Sequence, residues 1–381
     1  MRSMIVHQRI LPAILVLLLC SPATPSGARA PSQPAADLLV RSTIYLPMVY
    51  QGACFGQAGA YCLTDLPLNQ LSTTTAANAI NNIGQIVGTS YTNFHPEAIL
   101  LSRGSVSKLG ALGGSASLAY DINDDGQVVG SAATGATDPK VGSVFHAFLW
   151  QNSVMTDLGT LGGPNSDAYA INNAGQVVGA ADTAERYPNG FFVRHAFVWQ
   201  NGVMTDLGTL GGHESVARDI NASGQVVGYA HTSATDVNGA PISRAFLWQQ
   251  GSMIALAAFD NSNDTAYAIN ASGQAVGIAT LASGTTHAVL WQNGAAIDLG
   301  IGEARGINSS GQVVGFCCAT PSDSSSGIIW SNGQILKLAQ LLDPTVGAMI
   351  TSANAINDPG QIIAEGIIQS RSGVFLLTPT S

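Results

Sequence analysis

The stretch from Ala168 to Gly208, AYAINNAGQVVGAADTAERYPNGFFVRHAFVWQNGVMTDLG, contains four strand-like runs separated by turns. AYAIN and QVVGAA flank an Asn-Ala-Gly turn, while HAFVWQ and VMTDLG flank Asn201-Gly202, the strongest short hairpin signal. A longer and more variable segment joins these two hairpins. Four antiparallel strands in one repeated unit are typical of a β-propeller blade.

The Ile-Asn-x-x-Gly-Gln phrase of this unit recurs seven times along the chain. Its glutamines are Gln85, Gln127, Gln176, Gln225, Gln274, Gln312 and Gln361, with successive steps of 42, 49, 49, 49, 38 and 49 residues. A period of about 40 to 50 residues indicates propeller blades or solenoid turns. The predicted blades span residues 76–110, 118–159, 167–208, 216–257, 265–300, 303–339, and 352–378 together with 61–66.

The two ends of the repeat region favour a propeller over a solenoid. The last unit lacks a fourth strand, and the run YCLTDL at Tyr61–Leu66 resembles that missing strand. We expect it to pair with residues 373–378 and to close a ring, which removes exposed sheet edges. The predicted fold is all-β, a single domain over residues 61–381 that forms a seven-bladed β-propeller of four-stranded antiparallel blades.

The N-terminal residues differ in composition from the repeats. A basic start, the apolar run Ile10–Leu19 and a Pro-rich stretch predict a secretory signal peptide over residues 1–28, with cleavage after Ala28 or Ala30. The apolar run is about half as long as a membrane-spanning helix, so no transmembrane anchor is expected. Residues 29–60 form a linker or a capping extension in this interpretation. The predicted location is secreted, either extracellular or at the cell surface.

Charge narrows the classes of partner. Removal of the signal peptide takes away Arg2 and Arg9 and changes the formal net charge from −9 to −11. A strongly acidic chain is a poor match for nucleic acid, because phosphate contacts depend on clustered Lys and Arg. We therefore expect a glycan or an extracellular protein as partner, no nucleic acid, no cofactor, and a monomeric chain.

Four cysteines follow the predicted cleavage site, at Cys54, Cys62, Cys317 and Cys318. In an exported protein these residues are expected to form disulfides. A Cys54–Cys62 bridge would close a short loop and leave the adjacent pair bridged to each other or reduced, and two crossed pairings are the alternatives. The Cys-x-x-Cys spacing typical of zinc sites is absent from the sequence.

The third-strand and turn motifs resemble a known family. His146–Trp150 reads HAFLW, His195–Trp199 reads HAFVW, and both occur with DLGTLGG and INxxGQVVG. These motifs resemble the HAF repeat family of extracellular proteins. The resemblance is weaker where Glu97, Ser326 and Ser372 replace the histidine. It implies an exported repeat protein, and it implies no established reaction.

Histidines at the start of the third strand raise the possibility of a metal site. His146, His195 and His287 occupy one repeat position, with Arg244 at the same place in another unit. This position lies about 10 Å, or two strand spacings, outward from the innermost strand, and each side chain belongs to a different blade. The histidines therefore diverge, and we expect structural or rim roles.

One turn resembles the opening of a calcium-binding loop. Asp121, Asn123, Asp125 and Gly126 follow the pattern D-x-N-x-D-G. The other repeats lack these acids, and no Glu stands at the twelfth position of the loop. A turn whose Asn and Gly set the backbone explains every copy, so we expect no metal here.

One position varies while its neighbours repeat, in the frame Ala-x-(Ala/Asp/Gly)-Ile-Asn of the innermost strand. The residues at x are Asn78, Tyr120, Tyr169, Arg218, Tyr267, Arg305 and Asn354. We expect them to surround the channel mouth on the loop-rich face, where tyrosines and arginines suit a sugar that stacks on aromatic rings and carries a carboxylate. The alternative is that these side chains pack between blades.

Catalytic motifs are missing from the sequence. It contains no GxSxG, no HExxH and no Gly-rich phosphate loop, so no catalytic residue is assigned. Acids and a histidine do occur on the predicted loop face, at Asp167, His213, Glu214, Asp260, Asp264 and Glu303. The leading hypothesis is a non-enzymatic propeller that binds a glycan or protein. A polysaccharide-acting glycosidase or lyase requires two of these groups to converge, and a purely structural repeat predicts a channel filled by its own side chains.

Overall fold

The computed structural model of the protein describes residues 61–70, 75–92, 95–258, 263–281, 283–317 and 325–380. The predicted signal peptide, the extension over residues 29–60, and the candidates Cys54, Asp260 and Cys318 lie outside these ranges. Across the described ranges, no helix combines the length and apolarity needed to cross a bilayer.

The described residues form an all-β structure of antiparallel sheets with a few 3-10 turns at Pro67–Gln70, Leu338–Leu341 and Pro344–Val346. Four sheets take four strands each in chain order. The first is β2 (Thr75–Ile80), β3 (Ile86–Thr92), β4 (His95–Ser102) and β5 (Ser105–Lys108). The second is β6 (Ser117–Ile122), β7 (Val128–Asp138), β8 (Gly142–Gln151) and β9 (Val154–Asp157). The third is β10 (Gly162–Ile171), β11 (Val177–Arg186), β12 (Phe192–Gln200) and β13 (Val203–Asp206). The fourth is β14 (Gly211–Ile220), β15 (Val226–Thr235), β16 (Pro241–Gln249) and β17 (Ser252–Ala255).

The fifth sheet combines strands from both ends of the repeat region. Its order is β1 (Tyr61–Asp65), β27 (Arg371–Pro379), β26 (Ile362–Ile368) and β25 (Ala348–Ile356). Tyr61 pairs with Pro379 and Asp65 with Phe375, so the predicted pairing of YCLTDL with the last strand is present.

The sixth sheet has seven strands and joins two predicted blades. It contains β18 (Asn263–Ile269), β19 (Ala275–Thr280), β20 (Thr286–Gln292), β21 (Ala295–Ile307), β22 (Val313–Cys317), β23 (Ser326–Ser331) and β24 (Gln334–Lys337). The first half of β21 pairs with β20 and the second half with β22. The repeat step here is the 38-residue one, which leaves no crossover loop between the fourth strand of one unit and the first of the next. The structure therefore has six sheets where the sequence predicts seven separate blades.

The described residues test one of the predicted cysteine pairings. Cys62 lies on β1 and Cys317 on β22, and no disulfide joins these two residues. The other predicted pairings involve Cys54 or Cys318 and stay predictions.

Apolar side chains from neighbouring repeats form the core between the sheets. Phe148, Phe197 and Phe246, the central residues of the HAF-like strands, are fully buried. One cluster joins Val129 of the second sheet to Phe197 of the third. Burial of a phenylalanine stabilises the fold by about 1.5–3 kcal/mol, so these repeated contacts fix each sheet against the next.

The third-strand histidines bind the fourth strand of their own sheet. The Nδ1 atom of His146 lies 2.8 Å from an Asp157 carboxylate oxygen, and His195 and Asp206 repeat this contact at 2.8 Å. His287 does the same with Asp298 at 3.0 Å. The hydrogen bond to Asp206 raises the pKa of His195 above its usual value. The predicted structural role of these histidines is thus confirmed as a link between the third and fourth strands.

The repeated Asn-Gln turn is built on the asparagine side chain. Asn172 Oδ1 accepts hydrogen bonds from the backbone N–H groups of Ala174 and Gln176. Its Nδ2 donates to Gln176 Oε1 at 2.8 Å and to the Asn221 carbonyl oxygen of the next repeat at 3.0 Å. The same Nδ2-to-carbonyl bond links Asn81 to Asn123, Asn123 to Asn172, Asn221 to Asn270, Asn270 to Asn308, Asn308 to Asn357, and Asn357 to Asn81.

The calcium-like sequence forms an ordinary member of this set of turns. Asn123 Oδ1 accepts from the Gln127 N–H, and its Nδ2 donates to Gln127 Oε1. The carboxylate of Asp121 accepts backbone N–H groups instead, from Ile122 and Ile171. Asp125 is exposed to solvent. The turn interpretation is therefore confirmed for Asn123, since its side chain is used by the backbone of the turn.

Candidate functional site

The seven variable residues of the innermost strands occupy β-bulges. In the second repeat the pairing of β6 with β7 shifts between Ala119 and Asp121, which leaves Tyr120 as the extra residue. The same one-residue shift occurs at Asn78, Tyr169, Arg218, Tyr267, Arg305 and Asn354. Bulges re-aim a side chain out of the regular alternation of a strand, and they are common next to functional sites.

A glycine stands opposite the bulge in six of the repeats, at Gly88, Gly130, Gly179, Gly228, Gly277 and Gly315. A Cβ added to Gly179 would lie 1.9 Å from the Asp167 carbonyl oxygen, which is far inside contact distance. The bulged strand therefore requires a residue without a side chain on its partner. The recurring glycine is therefore a feature of the sequence from which the bulge could have been predicted.

The bulged residues meet at one cavity of about 210 Å³, here called the Tyr/Arg cavity. It is lined by Asn78, Tyr120, Tyr169, Arg218, Tyr267, Arg305 and Asn354, one residue from each of the innermost strands β2, β6, β10, β14, β18, β21 and β25. All seven side chains are partly exposed. The structure thus brings together every residue of the predicted channel mouth.

Aromatic rings form one side of this cavity. The rings of Tyr120 and Tyr169 have centroids 5.4 Å apart and are tilted by 44°. Burial, and then the charge of Asp167, raise the pKa of Tyr120 to about 12. Burial also raises the pKa values of Tyr169 and Tyr267. The three phenols therefore stay neutral at physiological pH and keep an O–H that can donate a hydrogen bond.

The two arginines of the cavity have different surroundings. Arg218 places its guanidinium carbon 4.8 Å from the Tyr169 ring centroid, and its buried Nε has no hydrogen-bond partner among the described residues. Arg305 instead donates to Asn354 Oδ1 at 2.7 Å and to Glu303 Oε2 at 3.3 Å. The terminal guanidinium nitrogens of Arg218 also make no hydrogen bond with the described residues. These nitrogens are therefore left for a ligand, whereas Arg305 is already tied to its neighbours.

Two carboxylates that the sequence analysis did not assign to the site also line the Tyr/Arg cavity. Asp121 and Asp219 follow the bulged residue, at the position where Ala79, Ala170 and Ala268 stand in other repeats. Asp219 accepts hydrogen bonds from the N–H groups of Ile220 and Ile269, both at 2.7 Å. Asp121 makes the equivalent pair of bonds two repeats earlier. An Asp among alanines at this position was the signal that could have found them.

Burial in the channel changes the acidity of both carboxyls. It raises the pKa of Asp121 to about 7, with a further contribution from the charge of Asp219. It raises the pKa of Asp219 to about 6. Both side chains are accessible to water inside the cavity but are surrounded by protein on most sides, which accounts for their weakened ionisation.

These shifts predict a pH-dependent stability. A carboxyl whose pKa is higher in the folded than in the unfolded chain stabilises the fold below its unfolded pKa of about 4, and this contribution is lost as the pH rises through 6 to 7. The Asp219 carboxyl should therefore make the wild type less stable at pH 8 than at pH 4. In Asp219→Ala, the free energy of unfolding at pH 8 minus that at pH 4 should be about 1–3 kcal/mol more positive than in the wild type. Urea unfolding of both proteins at pH 4, 6 and 8 measures this difference. An identical pH profile for the two proteins would contradict it.

The loop-face acids and His213 bind neighbours of their own. Asp167 forms an ion pair with Arg194, and Asp264 lies 3.7 Å from Arg244. Glu214 accepts a hydrogen bond from the Tyr187 hydroxyl at 2.9 Å, and the His213 ring contacts the same tyrosine. Glu303 contacts Arg305, as described above. The predicted acid/base candidates are therefore distributed among separate contacts.

A second cavity of about 240 Å³, here called the Asn cavity, adjoins the first and shares Asp121 with it. It is lined by the turn asparagines and by Asp124 and Asp358. Asp124 accepts hydrogen bonds from the Asn82 N–H at 2.8 Å and from Asn173 Nδ2 at 2.9 Å. The polar groups of this cavity largely satisfy one another, which leaves the Tyr/Arg cavity as the stronger candidate site.

Comparison with known families gives one match. The family model described as a protein of unknown function, DUF3466, matches residues 111–202 and 164–341, which together exceed half of the chain. The chain belongs to the DUF3466 family. A search of curated proteins found no match to this DUF3466 protein.

A solved structure similar to this DUF3466 protein is a β-propeller. The β-propeller domain of the Trilobed protease from Pyrococcus furiosus, described as having an open velcro topology, superposes with a TM-score of 0.52 at 10% identity. The match covers 81% of this chain and 98% of that domain. Pyrococcus horikoshii acylaminoacyl peptidase has a TM-score of 0.48 at 12% identity, over 77% of this chain and 50% of the peptidase. At such low identity the likeness to the first structure establishes the propeller fold alone.

Proposed function

We propose that this DUF3466 protein is a secreted, non-enzymatic binding propeller whose Tyr/Arg cavity takes a small anionic sugar, as a monomer or as the end of a glycan. The observation that carries this proposal is the convergence of seven variable, bulged residues on one cavity. Residues that vary within a repeated frame are free of the constraint that keeps the frame constant. Because these residues meet at one cavity, a role in binding a ligand explains them better than a role in packing between sheets.

A closed ring of seven blades is part of the proposal. Strand β21 has 13 residues and serves two neighbouring units, so the seven-stranded sheet corresponds to two blades. In all the other repeats, the turn asparagine donates a hydrogen bond to a carbonyl of the next repeat. Asn357 of the last repeat donates in the same way to the Asn81 carbonyl of the first. Asp65 on β1 also forms an ion pair with Arg371 on β27. These contacts favour a ring that is closed by the pairing of β1 with β27.

The chemistry of the cavity matches a sugar acid. Tyrosine rings stack on the apolar face of a pyranose, and neutral phenols donate hydrogen bonds to its hydroxyls. The guanidinium of Arg218 lines the cavity and makes no hydrogen bond or ion pair with the described residues. It suits a carboxylate, because guanidinium and carboxylate form short, charge-assisted bonds. A volume of about 210 Å³ is smaller than the sites of drug-sized ligands, at about 300–1,000 Å³, so one sugar ring is the appropriate size.

Two further parts of the proposal rest on the sequence. Secretion rests on the signal-peptide pattern of residues 1–28 and on the HAF-like motifs. A polysaccharide-acting enzyme is the second candidate function, because Asp121 and Asp219 line the same cavity and have raised pKa values. A purely structural repeat is less well supported, since the cavity between the innermost strands is open rather than filled.

Arg218→Ala should weaken binding of an acidic glycan by about 10- to 100-fold while leaving the protein folded, because the cavity loses its available cation. The measurement is a glycan-array screen of the purified protein, followed by titration calorimetry with each hit. Arg186→Ala is the matched control: it removes the same charge from the β11–β12 hairpin, where Arg186 lies over the Phe192 ring outside the cavity.

Each outcome separates the candidate functions. Binding that is lost in Arg218→Ala and kept in Arg186→Ala supports the site. Equal binding by all three proteins would place the ligand elsewhere and contradict it. Release of shorter saccharides from a bound glycan, assayed by reducing ends, would instead favour the enzyme.

A further inference from the structure

We infer that the Tyr/Arg cavity binds its carboxylate ligand together with one proton, which the Asp121 and Asp219 pair takes up. This inference rests on the proposed function, and it specifies how binding at that site is regulated. Asp121, Asp219, Arg218 and Arg305 all line the same cavity of about 210 Å³. An anion that enters this volume therefore comes close to two acidic side chains as well as to the arginines.

The two carboxyls are placed as acids without a cationic partner. Each accepts one backbone N–H from its own repeat and one from the next, at distances of 2.7 to 2.9 Å. No salt bridge joins either of them to Arg218 or Arg305 within the described residues, and Arg305 is engaged by Glu303. When both are ionised, their charges repel a third carboxylate across a small, weakly solvated space.

The other charged and titratable groups that line this cavity are two arginines and three tyrosines. Arg218 and Arg305 carry guanidinium groups, which are permanent cations, and burial raises the pKa values of Tyr120, Tyr169 and Tyr267, so these phenols are neutral. Glu303 lies behind Arg305, and Asp124 lines the adjoining Asn cavity. The described lining of the Tyr/Arg cavity includes no histidine. Beyond the lining, Glu365 accepts a hydrogen bond from Asn354, Asp167 pairs with Arg194, and the His231 ring lies beside Tyr229. Among the lining residues, Asp121 and Asp219 are therefore the groups whose charge changes between about pH 5 and 8, and their raised pKa values agree with this range.

The linked equilibrium balances in charge. The free protein, one ligand carboxylate and one proton combine to give the complex, in which one of the two carboxyls is protonated. Protonation of one aspartate offsets the repulsion between the ligand carboxylate and the Asp121 and Asp219 pair. Because the proton is taken up on binding, affinity should fall as the pH rises through the titration of the pair, by up to about tenfold for each pH unit above 7.

The test is titration calorimetry of the full chain with D-galacturonate between pH 5 and 8.5, in two buffers that differ in ionisation enthalpy. We expect uptake of close to one proton near pH 8 and the stated loss of affinity. Neutral D-galactose, used as a second probe, should bind with an affinity that does not change with pH. In Asp121→Ala with Asp219→Ala, which introduce the residue found in other repeats, galacturonate should bind more tightly than to the wild type at pH 8, without proton uptake.

Controls and contrary results are distinct for the two proposals. Asp236→Ala removes an exposed acid from the β15–β16 hairpin and should leave proton uptake unchanged. Binding that depends on Arg218 but involves no proton uptake would overturn the coupling and leave the site standing. A failure of galacturonate to bind at any pH would overturn the sugar-acid site and the coupling together.

Discussion

Asn172→Ala is expected to lower the free energy of unfolding by about 2–4 kcal/mol, because one buried side chain makes four hydrogen bonds. Two of these bonds shape the turn between β10 and β11. A third fixes Gln176, and the fourth reaches the Asn221 carbonyl of the next repeat. Alanine would leave two partly buried N–H groups and the buried Asn221 carbonyl oxygen without these partners, which costs more than the loss of a surface bond.

The neighbouring residue provides a matched control. Asn173 also bonds across to another repeat, since its Nδ2 donates to Asp124 at 2.9 Å, but this contact is exposed to solvent. Asn173→Ala should therefore cost less than about 1 kcal/mol. Urea unfolding at pH 7 compares the two variants. If they were equally destabilised, burial of the asparagine would not be what gives the repeated turn its strength.

The proposed ring also predicts how the loss of stability is distributed. A bond between neighbouring repeats that recurs seven times couples each unit to two others. Removal of one member should reduce the stability of the whole domain, with a single unfolding transition at a lower urea concentration. Separate melting of one repeat would indicate instead that each sheet is held mainly by its own apolar cluster.

The repeat phrase predicted the local structure well because its signals are local. The Asn201-Gly202 turn has positive φ at both residues, 51° and 85°, as a two-residue hairpin turn requires. The Asn-Gln turn is closed by the Asn172 side chain and the αL conformation of Gly175, at φ 72°. The partner of Asn172 Nδ2 lies 49 residues away, in Asn221. Such a contact depends on the arrangement of repeats and cannot be derived from one turn.

The sheet count was predicted less well, and the reason is a deletion. The step from Gln274 to Gln312 is 38 residues, whereas most steps are 49. The shorter step removes the crossover segment, so β21 runs from one unit into the next without a break. The 38-residue step alone does not predict that β21 is continuous, because a missing crossover segment would also fit a tight turn between two separate sheets.

The candidate site was predicted in position but only partly in composition. Variation at Tyr120, Tyr169 and Arg218 within a constant frame indicated a shared surface, and these residues do line one cavity. Asp121 was considered only as a part of a calcium-like turn, yet its side chain points into the channel. The bulge explains this difference. One extra residue reverses the side-chain alternation that simple strand periodicity assumes, so the face of the next residue also changes.

Gly228→Ala is expected to lower the free energy of unfolding by about 3 kcal/mol or more, since the bulge leaves no room for a side chain on the opposite strand. Gly228 pairs with Ala217, next to the bulged Arg218. An added Cβ would lie 1.9 Å from the Val216 carbonyl oxygen, so β14 and β15 would have to separate. The same movement would displace Arg218, and ligand binding should weaken together with stability.

Gly306→Ala is the matched control because it makes the same chemical change on an innermost strand. Its added Cβ would meet Val314 and Ile356 at 3.4 to 3.5 Å, an ordinary contact distance. Ala79 and Ala170 already occupy the equivalent position in other repeats. This variant should be neutral, or more stable by up to about 1 kcal/mol, since alanine restricts the unfolded chain.

The seventh repeat shows that the demand for glycine comes from the local pairing and not from the repeat frame itself. Ala364 stands at the position of Gly228 there and is fully buried. Its partner strand, β25, has a second register shift next to this pairing, between Ile350 and Ser352, whereas the second shift of β14 lies farther along, between Gly211 and Ser215. Thermal and urea unfolding of Gly228→Ala and Gly306→Ala, with galacturonate titration of both, tests the argument. Equal stability of the two variants would mean that the β14 bulge can open without cost, and the bulged residues would then be adjustable rather than fixed at the rim of the cavity.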